Sequence, residues 1–516
     1  MQFRMLKNII WIAGTAIAMG GTFGLTQTFG ADSNSDGVKI NSTNFPDGTF
    51  REYVSSFDLN DDGTLSTSEI ERVEQMGINK VSSMKGIKYF TNLEVLMCYD
   101  CSFTELDVSG LTQLAVLECE NNSKFSKLNV SGCINLDEID CDNNVLTEIN
   151  ASGCVKLEDF YCSNNKLTKI NVSGCKMLEL LECDNNNLSS LDVSGCSELQ
   201  ILSCENNVLT SLNINGCTEL HTLYCADNKL TKLNVSNYKE LVVLDCSNNN
   251  ITELNLSGNS SLSLFSCSNN KLTKLDVSGC EVLSALECFN NSLTKLDLSK
   301  CVELSELNCA DNNLTELDLS NNGNLMILDC YNNKLTKLVV NKNARIMTIN
   351  CYNNLLTELD LSGNDWLDDL DCSDNKLRKI NLTGSDYIVN LICSNNTSDL
   401  EIIGGGIETV YMENGRFSQL IINGSRIETL QIQKGNIAKL DINDSSVKYL
   451  YCDGNNFSEL NLSKCKDLEL FDCSNNNLTS LELGNLNNLV IFDCSNNKLT
   501  KLDVRNMPYL YGFARL

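Results

Sequence analysis

Residues 58–69 read D-L-N-D-D-G-T-L-S-T-S-E, a run in which nearly every alternate position offers an oxygen ligand. Asp58, Asn60, Asp62, the backbone carbonyl of Thr64, Ser66 and Glu69 fall at the ligand positions of a calcium loop. Ca2+ is a hard cation that takes carboxylate, amide and carbonyl oxygens at this spacing, and Gly63 stands where the loop must turn sharply. Leu65 supplies the apolar anchor. A single loop of this kind is expected to bind weakly, on the order of 10⁻⁴ to 10⁻³ M, and to stabilise rather than to sense.

The 27 cysteines are the other large reactive set. Most keep the frame L-x-x-L-x-C-x-x-N-x-L, from Cys98, Cys119 and Cys141 to Cys393, and again at Cys452, Cys473 and Cys494. Met412 and Ile432 fill the same slot in between, so it asks for a small-to-medium apolar group. A second column holds Cys133, Cys154, Cys175, Cys196, Cys217, Cys280, Cys301 and Cys465, with Tyr238, Asn259, Asn322 or Leu486 in other repeats. Cys101 sits in the Asn slot of the first repeat. In-register parallel strands hold equivalent β-carbons about 4.8 Å apart, wider than the ~3.8 Å of a relaxed disulfide. The thiols are therefore expected to be reduced packing groups, and one thiol per repeat offers no tetrahedral metal set.

Catalysis finds little support. His221 is the only histidine, and Cys225 beside it is expected to point inward. Carboxylates are plentiful, but a paired-acid glycosidase needs a pocket that desolvates one of them.

A return of the same frame about every 21 residues means a solenoid of leucine-rich repeats, one coil per period. In Leu325–Asn341, Leu328 and Cys330 point inward from a short strand, while Ile327, Asp329 and Tyr331 point out. Asn333 follows at the turn, where its amide can bond the neighbouring coil; Leu335 and Leu338 refill the interior. Counting cysteine slots, with Met412 and Ile432 included, predicts about 20 coils and a parallel concave sheet on the order of 90 Å long. Residues 400–445 read as a degenerate patch, with Gly415 and Gly435 in place of the ladder asparagine.

Outward strand positions are the usual contact surface of such a solenoid. The rows just before and just after the ladder cysteine contain no Lys or Arg; they are acidic and dotted with aromatics. Tyr161, Tyr224, Glu287, Phe289, Asp329, Tyr331, Tyr352 and Asp371 are the candidate ligand-binding residues. Lysines lie beyond the asparagines instead, as at Lys334 and Lys337.

Residues 1–31 read as a secretory signal: Arg4 and Lys7, an apolar stretch from Ile9 to Met19, then small residues to Ala31. Residues 32–90 form a small helical, EF-hand-like cap around the calcium loop, and 91–516 the α/β leucine-rich-repeat superhelix. A formal charge of −28 argues against nucleic acid. With no apolar tail, no transmembrane anchor is expected after signal removal, and the mature chain is expected to be released or held at a surface non-covalently.

The repeat L-x-x-L-x-C-x-x-N-x-L-T-x-L-D-V-S, nearly intact at Leu178–Ser194 and Leu283–Ser299, resembles the cysteine-ladder repeats of bacterial internalin-like surface proteins. The resemblance covers Leu93 to Leu510. Asn44–Val54, N-F-P-D-G-T-F-R-E-Y-V, resembles the N-terminal module of secreted leucine-rich-repeat proteins of Firmicutes-type bacteria. The internalin-like resemblance of the repeats implies protein binding or adhesion. The immunoglobulin-like domain and sorting signal typical of internalins are not seen. The leading expectation is a secreted scaffold for a protein or glycan ligand. The alternatives are a surface component self-associating through its C-terminal edge and, remotely, a carbohydrate-active enzyme.

Overall fold

The computed structural model describes residues 37–340 and 345–514. The expected secretory signal lies outside the described residues. A parallel sheet of 22 strands winds into a leucine-rich-repeat solenoid of about 21 turns. Strands pair in sequence order and in register, so that Phe160 stands beside Leu181 and Leu181 beside Leu202. Two of these strands, at the ends, have neither a ladder cysteine nor its Met412 or Ile432 substitute and escape the count. Gln75–Asn79 opens the sheet, with Ile78 opposite Cys98, and Gly512–Ala514 closes the described part of it.

Each coil turns at a fixed place. The residue two after the cysteine adopts a left-handed backbone, as at Asn164 (φ 56°), Asp227 (φ 53°) and Asn332 (φ 52°). Asn and Asp tolerate that conformation better than other residues with a β-carbon, which explains the first Asn of the recurrent Asn-Asn pair. The second Asn is buried and knits the coils together. Asn333 Nδ2 donates to the carbonyl oxygens of Cys309 at 3.0 Å, Cys330 at 3.1 Å and Tyr331 at 3.2 Å. Its Oδ1 accepts from the Leu314 amide of the preceding coil at 2.9 Å. Backbone groups that the turn would orphan are thereby satisfied.

The interior is a single leucine and cysteine core: Leu325, Leu328, Cys330 and Leu335 are all fully buried, as are Cys288 and Cys309. Met412 and Ile432 are buried in the cysteine slot. All 27 cysteines are buried thiols. On the far side, short strands set opposite charges side by side: Glu105 beside Lys127, Lys232 beside Glu253, Glu316 beside Lys337. This alternation accounts for the mixed-charge rim.

Between residues 400 and 445 the strands lengthen, to Gly406–Glu413 and Arg426–Gln433, and a five-stranded sheet forms on the opposite side. The altered patch is thus strand-rich on both faces. Among the described residues, α-helices occur only near the N-terminus, at Gly48–Ser55 and Thr67–Ile70. Asp47 caps the first by accepting from the Phe50 amide at 2.8 Å, and its other oxygen accepts from the Ser82 amide at 2.7 Å. Phe45, Phe50, Val54 and Phe90 pack, fully buried, over the first coil, with Phe45 and Phe50 edge to face at 5.8 Å. That apolar cover closes the first end of the core. No helix of the described residues is long and apolar enough to cross a membrane.

Candidate functional site: the concave face and the acidic loop

Strand alternation turns three residues per coil towards the concave side of the sheet: the third before the ladder cysteine, the one before it and the one after it. The outermost of these rows runs Leu180, Ile201, Thr222, Val243, Leu264 and Ala285 in register. It is a largely aliphatic strip, interrupted by Thr222, with Leu264 47% exposed. Sequence reasoning about the two rows nearest the cysteine missed it. The signal was present, because each of these residues directly precedes the inward leucine, or in one strand Phe265, of its coil.

Of the expected ligand residues, four come together. Tyr331 and Tyr352, on adjacent coils, stack with centroids 4.6 Å apart and planes 4° from parallel. Asp329 and Asp371 flank them. The amide of Asn350 donates to Asp329 Oδ1 at 2.7 Å, and the Ser373 N–H donates to Asp371 Oδ1 at 3.0 Å. Burial and the nearby Asp311 and Asp329 push the Tyr331 hydroxyl above its ordinary range. Phe289, half-buried, and the exposed Glu287, which accepts from Ser266 Oγ at 3.3 Å, lie two coils away. Tyr224 is 36% exposed, further along.

Tyr161 departs from expectation. It is buried at 8% exposure and engaged by neighbours, and roughly 40 Å separates it from the tyrosine stack at about 4.8 Å per strand. Asp140, Asp142 and Asp159 around it are buried as well. The eight residues therefore do not form one site.

A second acidic stretch is internally bonded. Asp184 Oδ1 accepts from Ser203 Oγ and from the Glu205 amide, both at 2.7 Å. Burial, followed by the charges of Asp184, Asp245 and Asp227, pushes the Glu205 carboxyl up to about 7.

The 58–69 loop is built to hold its shape. Asp58 Oδ2 accepts from the Gly63 amide at 2.8 Å, while Asp58 Oδ1 and Asn60 Oδ1 both meet the Asp62 amide, at 3.2 and 3.1 Å. Their oxygens thus converge on the inside of the loop. Asp61 and Gly63 take left-handed backbones at φ 56° and 78°. Thr64–Leu65 pairs antiparallel with Val38–Lys39, tying the loop down. Glu69 is buried: Oε1 accepts from the Leu59 amide at 2.8 Å and Oε2 from the Ser66 amide and hydroxyl, each at 2.8 Å. Burial works against its charge, but these bonds prevail and hold its carboxyl below the usual range. Among the described residues no three His, Cys, Asp or Glu side chains group closely enough to hold a metal ion. Any cation here would rest on the mixed set of Asp58, Asn60, Asp62 and the Thr64 carbonyl. The all-oxygen chemistry of that set fits calcium.

His221 is engaged by the backbone. Its Nδ1 lies 2.7 Å from the Glu219 carbonyl oxygen, while Cys225 is fully buried and its thiol is driven well upward by burial.

No protein-family model and no curated protein matches the sequence. Solved structures do. The functional domain of InlJ from Listeria monocytogenes, which includes a cysteine ladder, is 28% identical with a TM-score of 0.55, over 70% of this chain and 83% of that one. YopM from Yersinia enterocolitica aligns at 21% identity and TM-score 0.50 over 90% and 99%. A TDR receptor aligns at 17% and 0.52 over 83% and 86%. The last two likenesses concern the fold alone; the first adds the cysteine ladder and makes the chain internalin-like in its repeats.

Proposed function

We propose that this chain is a secreted or surface-held bacterial scaffold that recognises a protein through its concave sheet, without catalysing a reaction. The observation that carries the reading is the make-up of that sheet. A largely aliphatic strip from Leu180 to Ala285 runs beside acidic rows that hold the Tyr331–Tyr352 stack, and no Lys or Arg stands in the two rows flanking the ladder cysteine. Aromatic anchors in a polar surround are the usual energetic centre of a protein interface. The internalin-like repeats support the same class of role. A protein ligand is favoured over a glycan because a largely aliphatic strip suits an apolar protein side chain better than a polyhydroxylated sugar.

In this reading the N-terminal segment binds calcium through Asp58, Asn60, Asp62 and the Thr64 carbonyl, with Ser66 and Glu69 completing the loop. When bound, the ion neutralises the crowded carboxylates and stiffens the cover over the first coil. A second reading, self-association, draws on the apolar side chains around the last described strand: Ile491, Tyr511 and Phe513 are 48%, 95% and 40% exposed. Sedimentation separates the two readings, since a monomer at micromolar concentration removes the second.

The test of the first is retention of proteins on the immobilised chain, with wild type beside Leu264→Asp and beside Asp329→Ala/Tyr331→Ala/Tyr352→Ala. Loss of the same partners from either variant supports concave recognition. Partners unchanged by both would move the binding surface elsewhere.

A further inference from the structure

Within the concave face, one place is prepared for a particular side chain. Tyr331 and Tyr352 form a parallel stack on adjacent coils, and both are half-buried, so each ring is fixed by its neighbour and by the sheet. Three carboxylates surround them, from Asp311, Asp329 and Asp371. Each has one oxygen held by a single hydrogen bond: from Asn332 Nδ2 at 2.8 Å, from Asn350 Nδ2 at 2.7 Å and from the Ser373 amide at 3.0 Å. Among the described residues no lysine or arginine pairs with any of the three.

An independent observation points to a missing partner. Ser373 follows Tyr331 and Tyr352 in the same outward row and is 7% exposed, yet its hydroxyl has no hydrogen-bond partner among the described residues. A buried hydroxyl is normally bonded. Here an acceptor is left over at the end of an aromatic stack ringed by negative charge.

The geometry points to an arginine of a basic polypeptide partner: its guanidinium stacks on the Tyr331–Tyr352 platform, pairs with Asp329 and Asp371, and donates to Ser373 Oγ. Guanidinium is planar, weakly hydrated and rich in donors, so it meets an aromatic face and carboxylates together in a way that the compact ammonium of lysine does not. Charge complementarity favours a basic segment over a neutral sugar, because the chain carries a formal charge of −28 and its two central outward rows carry no Lys or Arg. This assignment rests on the concave face being the recognition surface.

The test is a fluorescence titration of the chain with labelled oligo-arginine and oligo-lysine of equal length, competed with a neutral oligosaccharide. Wild type should prefer oligo-arginine. Tyr331→Leu/Tyr352→Leu should weaken oligo-arginine binding about tenfold and abolish the preference, while Tyr331→Phe/Tyr352→Phe keeps it. Ser373→Ala should weaken oligo-arginine alone, and Asp329→Asn/Asp371→Asn should weaken both peptides. Equal binding of the two peptides by wild type, or a preference that survives loss of the rings, overturns the platform. So does displacement of the peptide by the neutral oligosaccharide. If the platform fails while Leu264→Asp still releases partners, recognition by the concave face stands without it.

Discussion

The hydroxyl of Tyr238 donates to the carbonyl oxygen of Ile214 at 2.6 Å, in the place where Cys217, one coil earlier, aims its thiol at the Val193 oxygen at 3.2 Å. Asn322 does the same with its amide, reaching the Leu298 oxygen at 3.1 Å. Three unlike side chains therefore perform one task in the second column, which is to satisfy a carbonyl that the turn of the preceding coil leaves buried. Their interchange in the sequence looks like loose packing; the structure shows that in these coils the shared requirement is a donor.

Tyr238→Phe keeps the ring and removes only the donor. It should cost about 1–3 kcal/mol, the penalty of an unpaired buried carbonyl, whereas Cys217→Ser, which keeps a donor, should cost less than Cys217→Ala. Urea denaturation of the three variants beside wild type measures the order.

Asn333→Ala removes three donated bonds and one accepted bond at once. Destabilisation above about 3 kcal/mol is expected, with local opening on both sides of the coil. Amide exchange at Leu314, whose N–H loses its acceptor, should accelerate most. An unchanged exchange rate there would argue that water replaces the side chain without loss.

Glu205 gives the solenoid a pH dependence of definite sign. Its carboxyl titrates near 7 in the folded chain against 4.5 ordinarily, so between those values the folded state holds the extra proton and stability falls as pH rises. Glu205→Gln should therefore melt above wild type at pH 8, by on the order of 1 °C given the solvent screening at this partly exposed site, and equal to it near pH 4. Melting curves at the two pH values decide it.

Calcium at about 2 mM should stabilise the chain by about 0.6–1.8 kcal/mol if the loop binds with the weak affinity expected of a lone site. Chelation should lower the melting temperature and speed exchange first in Gln75–Asn79, the strand next to the loop. Asp58→Asn/Asp62→Asn should abolish the effect of the ion. Identical melting in calcium and chelator, with no heat of binding, removes the ion from the account.

The thiols should be silent in the folded chain. Burial pushes Cys288 up to about 12 and Cys133 to about 11, and alkylation requires the thiolate. Iodoacetamide at pH 8 should label none of the 27 cysteines before denaturation and all of them after it, without added reductant. Labelling that stays low after denaturation would reveal disulfides.

Most of this architecture can be read from the chain because every coil repeats the same physical solution. The cysteine slot acts as a ruler, and the leucines around it give the inward positions. The ruler fails at the two ends of the described sheet: Ile78 opposite Cys98 and the strand at Gly512–Ala514 both belong to the sheet but lack the marker. Outward direction follows from strand alternation, so the Tyr331–Tyr352 pair was legible, but exposure does not follow from direction. Tyr161 points out of its coil and is still buried, in a group with Asp140, Asp142 and Asp159 on its own and the adjacent coil. The largely aliphatic row from Leu180 to Ala285 was equally legible and was masked by the inward leucines beside it. The loop's oxygen donors were evident at once; that Glu69 turns its carboxylate into the Leu59 and Ser66 amides was not, since capping and ligation ask for the same residue.

The asparagine ladder is interrupted where Gly415 and Gly435 replace its amide, and that interruption has a mechanical meaning. Coils joined in series by identical bonds yield one at a time when the chain is pulled from its end, each releasing about 70 Å of slack for a 21-residue turn. In the 400–445 patch the long strands at Gly406–Glu413 and Arg426–Gln433 replace amide clasps with extended backbone ladders. A pull on the C-terminal coils would thus travel as a sequence of single-coil steps and meet a different resistance at this patch. The tyrosine platform lies on the N-terminal side of that boundary, on coils the pull reaches only after the patch has yielded.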